Sequence, residues 1–214
     1  MRRLNCLTLC AISAASLTGC GWATYPIAHY EAVYTKTTLS VPAPDVSVVS
    51  HMDSTRVNRG RYLTVITGCA ACHTDGALVG DPNPSRSLAG SQIGIAYTNP
   101  FSDPLPGVAF PGNLTPDAMT GLGRWTDEQI ATAIRAGNPR DGAAPSHLAV
   151  MPWPLLAQLT DDDANAIVAY LRSIPPIEHH VPARAPPGTR ASADYVYHGV
   201  FRSGPVVSPP AAVR

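Results

Sequence analysis

The stretch Cys69-Ala70-Ala71-Cys72-His73 constrains this chain more than any other. Two thiols three positions apart, followed at once by an imidazole, are what covalent attachment of a c-type haem requires. The thiols form thioether bonds to the porphyrin vinyl groups, and the histidine lies under the ring, where its nitrogen can bind iron from the proximal side. Other readings of the pair fit less well. A thioredoxin-like redox motif needs a preceding strand in a βαβ context, which is not visible here. A zinc site needs a second CxxC or HxxxH to complete four ligands. A Cys69 to Cys72 disulfide would be strained and would give His73 no role. One covalent haem c on Cys69, Cys72 and His73 is therefore expected.

A bound haem bears on how the rest of the composition is read. The chain has 214 residues, with 22 prolines, 17 glycines and only 14% charged side chains. That balance points to a small core wrapped in irregular backbone. A covalent porphyrin is a large apolar body that supplies core the sequence lacks.

The first residues read as an export signal: Arg2 and Arg3, then a mostly apolar or small run from Leu4 to Leu17, then Leu17-Thr18-Gly19-Cys20. That ending is similar to the lipobox of bacterial lipoproteins, which implies cleavage before Cys20 and acylation of the new N-terminus; more than one acyl chain there would make attachment stable. An ordinary signal peptide or a retained anchor is the alternative, although the apolar run is short for a membrane span. On this reading Cys6 and Cys10 leave with the signal and no thiol is left over. Removal of residues 1–19 takes two arginines and no acidic residue, so the formal charge falls from zero to −2. There is no basic surface for nucleic acid.

Residues 20–52 read as a tether that could include a short strand or a docked segment, since Val46 to Val49 has some β character, and residues 53–177 read as the domain. A first helix is expected from a cap at Asp53 or Ser54 to about Thr67, with Tyr62, Leu63 and Ile66 on one face and Val65 beside them. Gly60 in its middle is either the mark of a close helix crossing, with Tyr170 as a candidate neighbour, or a tolerated accident. Residues 74–124 carry seven prolines and no periodicity, as a loop that wraps a ligand would. Within it Asn113, Arg124 and Trp125 carry the donors that haem propionates need, although Asn113 could simply shape a turn and Arg124 could be solvated. Thr126 and Gln129 open a second helix as a capping box, ended by Gly137-Asn138-Pro139. A third helix begins at Thr160, with Asp161 to Asp163 in its first turn, and stops at Pro175-Pro176. Residues 178–214 read as a poorly ordered or surface-wrapping tail, and its His179, His180 and His198 as solvated.

The second axial position separates electron carriers from haem catalysts and gas binders. Met52, Met119 and Met151 are the available thioethers after processing. Met151 lies in Ala149-Val150-Met151-Pro152-Trp153-Pro154, an extended, proline-stiffened loop between the second and third helices. A thioether favours ferrous iron and raises the potential. His147 is the rival ligand, and Met119 sits in a polar turn.

The order of parts resembles a class I cytochrome c domain. More narrowly, Gly112 to Asp117, Thr120 to Gly123, Trp125 to Ile130, Met151-Pro152-Trp153 and Ala169 to Pro175 resemble haem domains of the cytochrome subunits of bacterial alcohol, aldehyde and gluconate dehydrogenases. The resemblance covers about residues 53–177. It implies an all-α class I cytochrome c fold, with Cys69 and Cys72 as attachment points and His73 and Met151 as axial ligands. Those subunits usually carry three haem domains, whereas this sequence has one CxxCH.

The resulting expectation is a monohaem carrier of single electrons on the periplasmic side of a bacterial membrane, outer or inner. A lipid would hold it there, and it would dock redox partners such as a dehydrogenase or a terminal oxidase. The competing expectations are a haem enzyme subunit, peroxidase-like or sulfur-oxidising, and a gas-binding module with an open distal site. Lys36 is the only lysine, so partner docking would be weakly steered by charge.

Overall fold

A computed structural model describes residues 39–98, 104–137 and 150–197. The signal, Cys20 and most of the tether lie outside these residues, as do Lys36, His147, His198 and the stretch 138–149. Among the described residues are six α-helices, besides two 3-10 turns: α1 (Val46–Val49), α2 (Ser54–Ile66), α3 (Cys69–His73), α4 (Asp127–Ala136), α5 (Trp153–Leu156) and α6 (Asp161–Ser173). Three short strands join them: β1 (Gly94–Ala96), β2 (Val108–Ala109) and β3 (Tyr195–Tyr197). Helices and loops make up most of the described residues, with one small sheet that the all-α expectation did not include.

The long helices start where their caps dictate. The Asp53 carboxylate accepts from the backbone N–H groups of Thr55 and Arg56 at the head of α2. Thr126 and Gln129 form a reciprocal capping box on α4. The Thr160 hydroxyl accepts from Asp163 N–H at the start of α6, followed by three aspartates that complement the helix dipole.

Helices α2 and α6 cross at Gly60. A Cβ at that position would lie 1.8 Å from the Ala166 carbonyl oxygen and 2.9 Å from Tyr170 Cβ, so the two backbones touch where only hydrogen fits. The face of α2 turned to α6 therefore carries Val57, Gly60, Leu63 and Thr64. Tyr62, Val65 and Ile66, expected to share the buried face with Leu63, are instead more than half exposed. The crossing, rather than the apolar count, selects the face. The opposing side of α6 buries Ala164, Ile167, Val168, Tyr170 and Leu171.

Two flanking segments pack onto this helical core. Residues 39–52, the end of the expected tether, form a docked segment: Tyr170 Oη donates to the Pro42 carbonyl at 2.9 Å, Ser87 Oγ to Ser40 O at 2.8 Å, and Asp45 N–H to Ser173 O at 2.6 Å. Val46 to Val49 forms a helical turn, not a strand, because the Asp45 side chain caps it through Ser47 N–H. The described part of the tail, through residue 197, wraps the surface. Its β3 runs parallel to β1, with Gly94 opposite Tyr195 and Ala96 opposite Tyr197, and β2 flanks β1 antiparallel on the other side. Val108 and Ala185 exchange both backbone hydrogen bonds at 2.9 Å. His179, expected in solvent, is 6% exposed.

Replacing Gly60 by alanine should destabilise the protein by about 3 kcal/mol or more, because the methyl meets backbone that cannot move aside. Helix propensity alone would give a gain of about 1 kcal/mol. Denaturant unfolding of the holoprotein distinguishes the two signs.

Candidate functional site

The site begins at the C-terminus of α2. Thr67 caps that helix with its hydroxyl on Leu63 O at 2.7 Å, and Gly68 turns the chain into α3. This single turn presents Cys69, Cys72 and His73 to one cavity of about 490 Å³. That volume lies in the range of small-molecule and cofactor pockets. Met151 lines the same cavity, so the two expected axial side chains share one space although 78 positions separate them.

His73 is held from behind. Its Nδ1 lies 2.7 Å from the Gly112 carbonyl oxygen. A carbonyl only accepts, so Nδ1 carries the proton and Nε2 keeps its lone pair for a metal. Burial pushes the imidazole below its ordinary pKa, against the pull of that carbonyl, which further favours the neutral ring a ligand must be. The thiols of Cys69 and Cys72 are both pushed up by burial. For Cys69 a hydrogen bond with the Thr67 hydroxyl, 3.4 Å away, pulls the other way. Desolvation opposes a buried thiolate, and conversion to a thioether leaves no charge to bury.

The walls are mostly apolar. Helix α6 contributes Ile167 and Leu171, α4 contributes Ile130, Ala133 and Ile134, and the loop before α4 adds Leu114, Leu122 and Trp125. The methionine segment supplies Val150, Met151, Pro152 and Trp153. It is less extended than the prolines suggest, since Trp153 N–H bonds Met151 O at 2.8 Å and α5 begins there. Met119, expected to be exposed, is 68% exposed and does not line this cavity.

The three residues expected at the propionates separate. Trp125 lines the cavity. Asn113 lines it as well, but its amide is committed to the loop. Nδ2 donates to Thr120 Oγ1 at 3.0 Å and to Ile177 O at 2.8 Å, while Oδ1 accepts from Thr115 N–H and Oγ1 at 2.9 and 2.8 Å. Both amide hydrogens and both lone pairs are used. Arg124 points away from the cavity lining, with Nη2 3.1 Å from Met119 Sδ.

The cation that organises this loop is Arg172 on α6, which sequence reasoning passed over as one more helix residue. Its Nη1 donates to Leu122 O at 2.9 Å, its Nη2 to Trp125 O, and its Nε to Asp127 Oδ1 at 2.9 Å. Gly112 was also missed as the partner of His73. The proximity of the motif at 112–117 to a histidine 39 positions earlier leaves no trace in periodicity.

The residues present fit a covalent haem c by the chemistry of their donor set. Two thiols, one neutral imidazole with a fixed tautomer and one thioether face a single apolar cavity.

Comparison with known proteins gives the family. Residues 57–175 match the family described as cytochrome c. The chain is 35% identical to the cytochrome c subunit of the quinone alcohol dehydrogenase of Gluconobacter oxydans (strain 621H), over 55% of this chain and 21% of that one. It is 35% identical to the fructose dehydrogenase cytochrome subunit of Gluconobacter japonicus, over 54% and 20% respectively. With the gluconate 2-dehydrogenase cytochrome c subunit of Pantoea cypripedii the identity is 32%, over 53% and 22%. The match thus spans about a fifth of the length of these relatives.

Substituting Arg172 by leucine should cost about 2 to 3 kcal/mol, since it leaves two partly buried carbonyls without their charged donor. Arg124→Ala should stay within about 0.5 kcal/mol, as expected for an exposed side chain away from packing. Parallel denaturant titrations of the two variants measure the difference.

Proposed function

The chain belongs to the cytochrome c family, and from that premise we propose that it is a monohaem electron carrier, tethered by lipid to the periplasmic face of a bacterial membrane. The observation that carries this reading is the meeting of Cys69, Cys72, His73 and Met151 at one apolar cavity. Cys69 and Cys72 would hold haem c covalently, with His73 and Met151 as protein ligands. When bound, haem c supplies a one-electron ferric/ferrous couple.

The chain's own residues prepare the site for that role. The Gly112 carbonyl orients the His73 ring and strengthens it as a donor, while Met151 is a soft ligand that favours the reduced state. Ile130, Ile167 and Leu171 exclude water, which limits reorganisation when charge changes. Trp125 is the cavity residue we assign to a propionate.

The relatives are named as cytochrome subunits of alcohol, fructose and gluconate dehydrogenases, which supports a dehydrogenase as the donor. A terminal oxidase or an intermediate carrier would take the electron onward. The lipid anchor is assigned to Cys20, from Leu17-Thr18-Gly19-Cys20.

In the oxidised protein the weak sulfur-to-iron absorption in the red should be present, and Met151→Ala should abolish it and lower the midpoint potential. The ferrous wild type should refuse carbon monoxide, whereas the variant should bind it. Carbon monoxide binding by the wild type would mean an open iron and would refute the carrier reading. For the anchor, Cys20→Ala should move the protein from the membrane to the soluble fraction; unchanged membrane association would refute lipidation.

A further inference from the structure

We propose that His179, in the wrapping segment beyond the family match, is a positioning residue for the axial histidine, acting through the turn at residues 88–91. The inference rests on ligation of iron by His73.

The turn holds His73 and its carbonyl partner in register. Gly90 N–H donates to the His73 carbonyl at 2.9 Å, which fixes the backbone of the ligand. Ser91 N–H donates to Pro111 O at 3.0 Å, and Leu114 N–H to Leu88 O at 2.8 Å, which fixes the segment that carries Gly112. The 2.7 Å bond between His73 Nδ1 and Gly112 O therefore spans two segments whose spacing this turn sets.

The turn is not relaxed. Leu88 has φ +60, the left-handed region that a side chain disfavours, and it is fully buried. Gly90 has φ +86, and a Cβ there would lie 2.5 Å from Val181 Cγ2, 2.9 Å from Asn113 N and 2.9 Å from Pro111 O. Such a conformation persists only when its surroundings determine it from several sides.

His179 supplies the outer side. Its Nδ1 donates to Ala89 O at 2.9 Å, so Nε2 is the acceptor, 3.2 Å from both Arg86 Nη1 and Gln92 Nε2. Arg86 is anchored in turn on Asp75 Oδ2 at 2.9 Å, and Gln92 also donates to His180 O. His179 N–H donates to Thr120 Oγ1 at 3.0 Å, the hydroxyl that Asn113 also bonds. The imidazole thus ties the wrapping segment to the turn behind His73, while the backbone N–H of the same residue ties it to the loop behind Gly112. Loosening it should lengthen the His73 to Gly112 bond, weaken the ring as a donor and favour ferrous iron.

The test compares holoproteins with His179→Ala and His179→Asn, reading midpoint potential, the electron paramagnetic resonance g-values of the ferric iron and melting temperature. His179→Ala should shift the potential upward and change the g-values. His179→Asn, whose amide can still donate to Ala89 O, should restore both towards the wild type. A lowered melting temperature with unchanged potential and g-values would reduce His179 to a structural residue and overturn the proposal. Should the alanine variant fail to fold, Gln92→Met, which removes one donor to Nε2, should give a smaller upward shift, and no shift would overturn it equally. A wild-type spectrum without a histidine and methionine signature would instead refute the ligation on which the inference stands.

Discussion

The approach of α2 to α6 at Gly60 and Ala166 governs the rest of the molecule. Two helices that touch through their backbones cannot slide or rotate without a clash. That contact fixes where α2 ends, and therefore where Cys69, Cys72 and His73 emerge one turn later. It also fixes which side of α6 turns inward, and Ile167 and Leu171 on that side line the cavity. Arg172, next along α6, reaches across to the carbonyls of Leu122 and Trp125 and sets the loop that closes another wall. A single missing side chain at position 60 thus aligns the attachment motif, the cavity wall and the loop anchor.

Around this frame the two ligand segments differ in kind. His73 is locked by backbone: the Gly112 carbonyl accepts a hydrogen bond from Nδ1–H, and the turn at 88–91 holds both partners. Met151 sits where the chain enters α5, just before Pro152 and Pro154, which limit its freedom. The histidine side is set by polar geometry and the methionine side by packing. An apolar ring bound between them would fill the cavity and join parts of the chain that otherwise meet only at its edge.

What was legible in the sequence was whatever depends on local chemistry. The attachment motif, the caps at Asp53, Thr126 and Thr160, and the proline stops needed no knowledge of the rest of the chain. Gly60 as a crossing point was legible too, because an otherwise unfavourable residue in a helix needs a reason. What escaped depends on contacts distant in sequence. Tyr62, Val65 and Ile66 look like core by spacing, yet the crossing angle turns them outward. Arg172 reads as one more helix residue, yet it reaches from another element to hold the loop before α4. His179 reads as one more polar tail residue until the strap folds back over Ala89. The small sheet escaped for the same reason: β1 and β3 are three residues each and lie about a hundred positions apart.

The central proposal is that His73 and Met151 would both be ligands to the iron of a covalently attached haem. Proton resonance spectra of the reduced, diamagnetic holoprotein test it most directly, because a methyl group held over a porphyrin face is shifted far upfield by the ring current. One such three-proton methyl signal, lost in Met151→Ala, is the result predicted here. An upfield region without a methionine methyl, or one that survives that substitution, would contradict it.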